Sequence, residues 1–219
     1  MHDREWKGTG RHCFSPQTVG PSMLRLSLAA ACNMRCIHCS RRSDRSGDPA
    51  MPGLSPDDAV EEVAAAVGRN ASPDGVLIAG PGEPLVSAQT FVVVKKLSWL
   101  YPDIPITIAT NGLLLPDRLD ELVRSGVRNI VLSLNAASAG TAGRLYEWAI
   151  YRGRKYIGED AARLVLQQQW NGLENSVEAG LSVTVSLAVI AGVNDHEAAV
   201  IRQRAEDIGA ARVVVDPFP

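Results

Sequence analysis

Six short runs rich in Val, Ile and Leu recur along this chain, separated by longer stretches of helix-like composition. The runs are Leu24–Ala30, Gly75–Ala79, Pro105–Thr110, Asn129–Asn135, Val183–Ile190 and Ala211–Asp216. Their lack of polar alternation marks parallel strands covered on both faces. Helices are expected near 56–68, 86–100, 116–125, 160–179 and 195–208. The first has a legible start: Ser55 caps it, Pro56 suits its first turn, and Asp57 and Asp58 complement the positive end of its dipole. Strands each followed by a crossover predict an α/β fold with one parallel sheet. Periodicity alone leaves an open doubly wound sheet and a partial (βα) barrel equally available. In both, ligands gather at the C-terminal ends of the strands.

At 219 residues, with 46% apolar and 21% charged residues, the chain can bury one substantial core. Residues 1–22 read as an N-terminal extension and 23–219 as a single core domain. The Arg/Ser/Gly/Pro stretch from Arg41 to Gly53 reads as a loop placed to cover the strand ends. A net charge of −2 makes no electrostatic case for a nucleic-acid or anionic-membrane partner. No apolar run approaches the roughly 20 residues of a membrane span. The polar start, Met1 to Lys7, lacks the apolar stretch of a secretory signal, so a cytoplasmic location is expected.

The four cysteines stand at 13, 32, 36 and 39, which is no pattern for a disulfide scaffold. Directly after the first strand the chain reads Cys32-Asn-Met-Arg-Cys36-Ile-His-Cys39. This spacing lets three thiolates from one loop meet one inorganic centre. A cubane held by three thiolates keeps one iron open to an external ligand, since such clusters take four. Zinc, with Cys13 or His12 as fourth ligand, is the competing reading. Other strand ends carry compatible chemistry. Gly80-Pro81-Gly82-Glu83 offers two glycines for close backbone approach and a carboxylate for an ammonium group. Thr110-Asn111-Gly112, Asn135 and Ser186 add short polar side chains on the same rim, and Ile190–Asp195 follows the fifth strand.

The C-x3-C-x2-C loop, with His38 at its aromatic position, resembles the hallmark of radical S-adenosylmethionine (SAM) enzymes. That resemblance implies a partial (βα)6 TIM-like barrel of parallel strands over residues 23–219. It implies that Cys32, Cys36 and Cys39 bind a catalytic [4Fe-4S] cluster whose open iron takes SAM, which is cleaved reductively to a 5′-deoxyadenosyl radical. His38, Gly80, Gly82, Glu83, Thr110, Asn111, Asn135 and Ser186 would position SAM. An electron donor of flavodoxin or ferredoxin type and a small-molecule or metal-cluster substrate are implied as partners.

Within that class, Leu145–Tyr151, Arg154–Gly158, His12–Ser15, Ala79–Leu85 and Ile190–Asp195 are similar to segments of NifB, the nitrogenase cofactor maturase family. The likeness runs from about residue 11 to Pro219. Tyr146, Trp148, Tyr151 and Tyr156 either wall the site or pack in the core, and Arg154 and Lys155 either contact substrate or lie exposed. Some family ligands are absent. Arg11 and His12 precede Cys13 where the family has His-Pro. Arg41, Arg42 and Arg45 occupy a stretch that holds a further family cysteine, and Ile106–Ala109 lacks another. The family's cysteine-rich tail lies beyond Pro219. Arginine has no lone pair for iron, so Arg41, Arg42 and Arg45 point either to an anionic substrate or to a solvated charge run. The expected activity is therefore a NifB-like radical SAM reaction on an unidentified substrate. Maturation of a nitrogenase-like cofactor and a non-catalytic zinc- or cluster-binding module are the alternatives.

Overall fold

The computed structural model describes residues 22–39, 53–68 and 73–218. Six strands form one parallel sheet: β1 (Met23–Leu26), β3 (Gly75–Ile78), β4 (Ile106–Thr110), β5 (Asn129–Ser133), β8 (Ser182–Ile190) and β9 (Arg212–Phe218). They pair in that order, each parallel to the next, so β1 and β9 are the edges of an open barrel. Helices α1 (Pro56–Gly68), α2 (Ala88–Leu100), α3 (Leu115–Arg124), α4 (Ala139–Leu145), α5 (Gly158–Glu178) and α6 (Ala198–Ile208) cover the outside. The fold is an α/β partial (βα)6 TIM-like barrel.

Strand alternation divides the side chains. Leu26, Val76, Ile78, Ile106, Ile108, Ile130, Leu132, Val183, Val185 and Leu187 face the helices and form the main core. Leu77, Ala79, Ala109 and Val131, with Met23 against them, form a second cluster on the inner face. The other inner positions differ in character: Arg25 stands level with Leu77, and Asn111, Ser133, Asn135, Ser186 and Asp216 lie further along the strands. An apolar plug therefore closes the barrel floor, and a polar rim opens at the strands' C-terminal ends. Pro217 sits in β9, where a missing N–H on an edge strand costs little.

Two differences from the sequence expectation concern the site. First, β1 ends at Leu26, so the run to Ala30 is extended chain without strand pairing. Second, a three-stranded antiparallel sheet unites β2 (Met34–Cys36), β6 (Tyr146–Tyr151) and β7 (Arg154–Ile157). β6 and β7 form a hairpin whose two-residue loop, Arg152-Gly153, has both φ values positive, at 49° and 76°. That is the loop geometry that matches strand twist. The short helix α4 was also absent from the expected elements, being only seven residues. The expected N-terminal extension, apart from its last residue, and nearly all of the expected 41–53 loop lie outside the described residues. Among the described residues no helix is long and apolar enough to cross a membrane.

Candidate active site

The cysteine loop is built as a strand. Its middle, β2, pairs with β6 through Met34 opposite Ala149, Arg35 opposite Trp148 and Cys36 opposite Tyr146, with a bulge between Arg35 and Cys36. The Ile37 N–H donates to the Leu145 carbonyl at 2.9 Å, and the Ile150 N–H donates to the Asn33 carbonyl at 2.7 Å. Bonds on both sides of Cys36 thus fix the loop to the hairpin. Bulges re-aim side chains beside functional sites, and here Cys36 is buried while Cys32 and Cys39 are partly exposed.

All three cysteines line one pocket together with Arg25, Gly80, Glu83, Thr110, Asn111 and Ser133. Burial, and then the neighbouring Cys32 and Cys39 thiols, push the Cys36 thiol well above its usual value. Three thiolates gathered here repel one another unless a cationic centre compensates them, so the donor set fits a metal centre. Among the described residues, no group of three His, Cys, Asp or Glu side chains is drawn together around a single ion. A cubane differs in placing its thiolates on separate irons. Cys13 and His12, the fourth ligands of the zinc reading, lie outside the described residues, as do Arg41, Arg42 and Arg45.

On the same pocket lining, Glu83 is 3% exposed and accepts three hydrogen bonds. Thr110 Oγ1 donates to Oε1 at 2.7 Å, the Leu85 N–H to Oε1 at 3.1 Å and the Asn111 N–H to Oε2 at 2.7 Å. Burial nevertheless wins over these donors, and its pKa is raised from 4.5 to about 6. A buried carboxylate in this state gains most from a cation arriving at the pocket. Thr110 therefore serves Glu83, and its oxygen also accepts the Gly112 N–H at 3.1 Å. Asn111 Nδ2 donates to Asn33 Oδ1 at 2.8 Å and lies 3.7 Å from the Cys32 sulfur.

The glycines also answer to the protein's own backbone. A Cβ on Gly82 would fall 2.0 Å from the Ala31 carbonyl oxygen and 2.8 Å from that of Ala29. What approaches closely is the chain after β1, to which Gly82 and Glu83 donate backbone bonds of 2.8 Å each. Gly80 holds the same turn by accepting the Ser27 hydroxyl at 2.6 Å. These bonds lock the Glu83 loop to the segment that leads into Cys32.

His38, Asn135 and Ser186 are not among the residues lining that pocket and lie toward β8 and β9. His38 is 4% exposed, and burial lowers its pKa to about 4. It packs edge-on to Phe218 at 5.7 Å and meets Asn135 Nδ2 at 3.4 Å. Asn135 Oδ1 accepts the Ala188 N–H at 2.8 Å. Ser186 is buried on the inner face beside Ser133. Tyr146, Trp148, Tyr151 and Tyr156 do not line the pocket: Tyr146 is buried in the core, Tyr151 and Tyr156 pack against it, and Trp148 lies on the opposite face of the hairpin. Arg154 and Lys155 are exposed.

Several supporting residues escaped the sequence reading. Gln169, 1% exposed on α5, donates to the Asn111 carbonyl at 2.8 Å and the Ser133 carbonyl at 3.0 Å, tying the ends of β4 and β5 together. Asn194 is fully buried. Its Nδ2 donates to the Asn135 and Ala188 carbonyls at 2.9 and 2.8 Å, and its Oδ1 accepts the Ile190 N–H at 2.7 Å. Glu197 accepts the Ala137 N–H at 2.6 Å and the Thr141 hydroxyl at 2.8 Å at the start of α4. Arg25 carried a signal, since a charge at an inward position of an apolar strand is costly without a role.

The chain's relatives agree with this architecture. The radical SAM superfamily model matches residues 26–205. The FeMo cofactor biosynthesis protein NifB of Rhizobium meliloti (strain 1021) is 33% identical over 199 residues, covering 87% of this chain and 40% of that protein. The NifB of Rhizobium leguminosarum bv. trifolii is 32% identical over 205 residues, 90% of this chain and 42% of the relative. The chain thus spans less than half the length of either. The structure of TYW1 with a lysine-pyruvate adduct bound has a TM-score of 0.57 at 14% identity, covering 90% of this chain and 63% of that one, and shows the same fold. With its cysteine loop, its barrel and a family match over most of its length, the chain belongs to the radical SAM superfamily and is NifB-like.

Proposed function

We propose that this chain is a radical SAM enzyme in which Cys32, Cys36 and Cys39 hold a [4Fe-4S] cluster. The observation that carries the reading is the shared pocket: three thiols and a buried, hydrogen-bonded carboxylate line it together. When bound, the cluster and SAM supply reductive cleavage of the sulfonium to methionine and a 5′-deoxyadenosyl radical. The chain's own part is binding and orientation. Glu83 receives the methionyl ammonium, and its three donors keep the carboxylate aimed at the pocket. Thr110 and Asn111 fix that carboxylate, and Asn111 also ties it to the Cys32–Asn33 segment. Gly80 and Gly82 keep the Glu83 loop against the chain that precedes Cys32. His38, Asn135 and Ser186 line the adjoining inner face and receive the nucleoside, His38 as a neutral ring. The apolar floor of Leu77, Ala79, Ala109 and Val131 keeps water from below. A small electron carrier of flavodoxin or ferredoxin type supplies the electron.

A second, narrower reading is maturation of a nitrogenase-like iron–sulfur cofactor, supported by the similarity to NifB proteins. Anaerobic reconstitution with iron and sulfide, followed by SAM and dithionite, tests both. About four irons per chain, a reduced-state paramagnetic signal that changes with SAM, and release of 5′-deoxyadenosine support the enzyme reading. About eight or more irons per chain favour the maturase. No cluster, or one indifferent to SAM, refutes the proposal. Equimolar zinc without iron in anaerobically purified protein establishes the structural-module alternative.

A further inference from the structure

Every polar group of Asn111 is engaged, and its side chain fits only one way round. Its backbone N–H donates to Glu83 Oε2 at 2.7 Å, and its carbonyl accepts Gln169 Nε2 at 2.8 Å. Its Oδ1 accepts the Leu113 N–H at 3.0 Å, which the amide nitrogen could not do. Nδ2 therefore points the other way, where it lies 2.8 Å from Asn33 Oδ1 and 3.7 Å from Cys32 Sγ. The same logic orients Asn33, which stands between Cys32 and Met34 in the cysteine loop. Its Oδ1 receives Asn111, so its own Nδ2 is turned elsewhere, and there that atom is buried without a hydrogen-bond partner among the described residues. Asn33 is 6% exposed, and its carbonyl is tied to β6 by the Ile150 N–H at 2.7 Å. A buried donor of this kind marks a place to which something else brings the acceptor.

We propose that Asn111 and Asn33 form a relay of N–H donors to the sulfurs of the cysteine-held cluster and thereby raise its reduction potential. Asn111 donates to Cys32 Sγ, and Asn33 donates to a sulfur that the cluster itself brings. This assignment rests on the proposed function and adds to it. Side-chain amides are needed because two of the loop's backbone donors are already taken. The Ile37 N–H is bonded to the Leu145 carbonyl at 2.9 Å, and the Cys39 N–H to the Cys36 carbonyl at 3.3 Å. Adding an electron makes the sulfurs more negative, and an N–H aimed at a sulfur favours the more negative state. Losing a donor therefore lowers the potential. One electron passes from the reductant to the cluster, the reductant is oxidised by one electron, and the amide protons stay on nitrogen. Asn111 and Asn33 are positioning residues: they act through Cys32 and the cluster.

The test reads the midpoint potential of the anaerobically reconstituted chain by stepwise reduction with titanium(III) citrate, followed by electron paramagnetic resonance. SAM is left out, which separates the relay from the part Asn111 plays through Glu83. Asn111→Ser keeps the turn, because a serine hydroxyl accepts the Leu113 N–H as the amide oxygen does, and it keeps the backbone bond to Glu83. Its amide donor is gone. Asn33→Leu removes the second amide at similar volume. Expected is wild-type iron content with a reduction equilibrium about tenfold less favourable in each variant, about 59 mV for one electron. The double variant is expected to lose less than the sum of the two, because Asn33 holds the amide that Asn111 aims. Variants with a full cluster and the wild-type potential overturn the relay and leave the proposed function standing. A wild-type chain that takes up no cluster refutes the proposed function and the relay with it. Wild type made with isotope-labelled asparagine gives a readout that needs no variant. Electron–nuclear double resonance on its reduced cluster is expected to show coupling to an asparagine side-chain nitrogen and to exchangeable protons lost in heavy water. Exchangeable protons without the nitrogen coupling mean that water is the donor and overturn the relay, as does the absence of both.

Discussion

Replacing Glu83 with glutamine should flatten the pH dependence of the ligand-free protein's stability while removing its grip on an amine. Burial raises the Glu83 pKa from 4.5 to about 6, despite the bonds from Asn111, Thr110 and Leu85. The folded state therefore binds a proton more tightly at this group than the unfolded chain does. The stability it contributes is fully present below pH 4.5 and is lost as pH rises through about 6. At 1.36 kcal/mol per pH unit, that interval corresponds to roughly 2 kcal/mol. Glutamine matches the protonated acid in shape and charge but presents one acceptor oxygen where the carboxyl presents two, so its amide nitrogen faces a donor such as the Asn111 N–H, and Glu83→Gln forfeits about 1 kcal/mol at every pH. The assay is urea denaturation of the ligand-free protein from pH 4 to 8 for both proteins. Between pH 4 and pH 7 their difference should move by about 2 kcal/mol in favour of the variant. Saturating SAM should stabilise the wild type and not the variant, because an ammonium compensates a carboxylate and not an amide. A difference independent of pH would refute the reasoning.

Other expectations follow from the same geometry. Gly82→Ala drives a Cβ into the Ala31 carbonyl and breaks two 2.8 Å backbone bonds, so thermal or urea unfolding should show a loss of about 3 kcal/mol. Asn194→Ala removes three buried hydrogen bonds between the ends of β5 and β8, and the same assay should show about 3 kcal/mol lost. Gln169→Leu leaves the Asn111 and Ser133 carbonyls without that donor, at a cost of about 2 kcal/mol. Because Asn111 carries one of the Glu83 bonds, Gln169→Leu should also weaken SAM binding measured by calorimetry, whereas Gln169→Glu, unable to donate to either carbonyl, should do no better.

The legible part of the fold was its main sheet. Every one of the six expected strands overlaps a strand of the barrel, because strands buried on both faces must be apolar throughout and leave an unmistakable run. Helix positions followed from what lay between. The hairpin was hidden for a complementary reason. Tyr146–Ile157 is half-exposed and aromatic on both faces, so its alternation is blurred, and its turn uses Arg152 in a left-handed conformation where Asn or Asp would have given a signal.

The site divides along the same line. Cysteine spacing, the Gly80–Glu83 turn and the Thr110–Gly112 turn are local patterns, and local chemistry can be read from neighbours in sequence. Their partners could not be. That Gly82 answers to Ala31, that Thr110 and Asn111 serve one carboxylate, and that Gln169 binds two strand ends are facts of residues 27 to 58 positions apart. Burial also lies beyond any spacing argument. It makes His38 a neutral ring against Phe218 and raises Glu83 and Cys36. By itself the sequence determined the βα rhythm and the identity of the donors, because periodicity and residue type are properties of adjacent positions. The tertiary structure alone decided which donors share a pocket, which are desolvated, and that the cysteine loop is a strand of an outward-facing sheet, because those depend on what distant segments bring alongside.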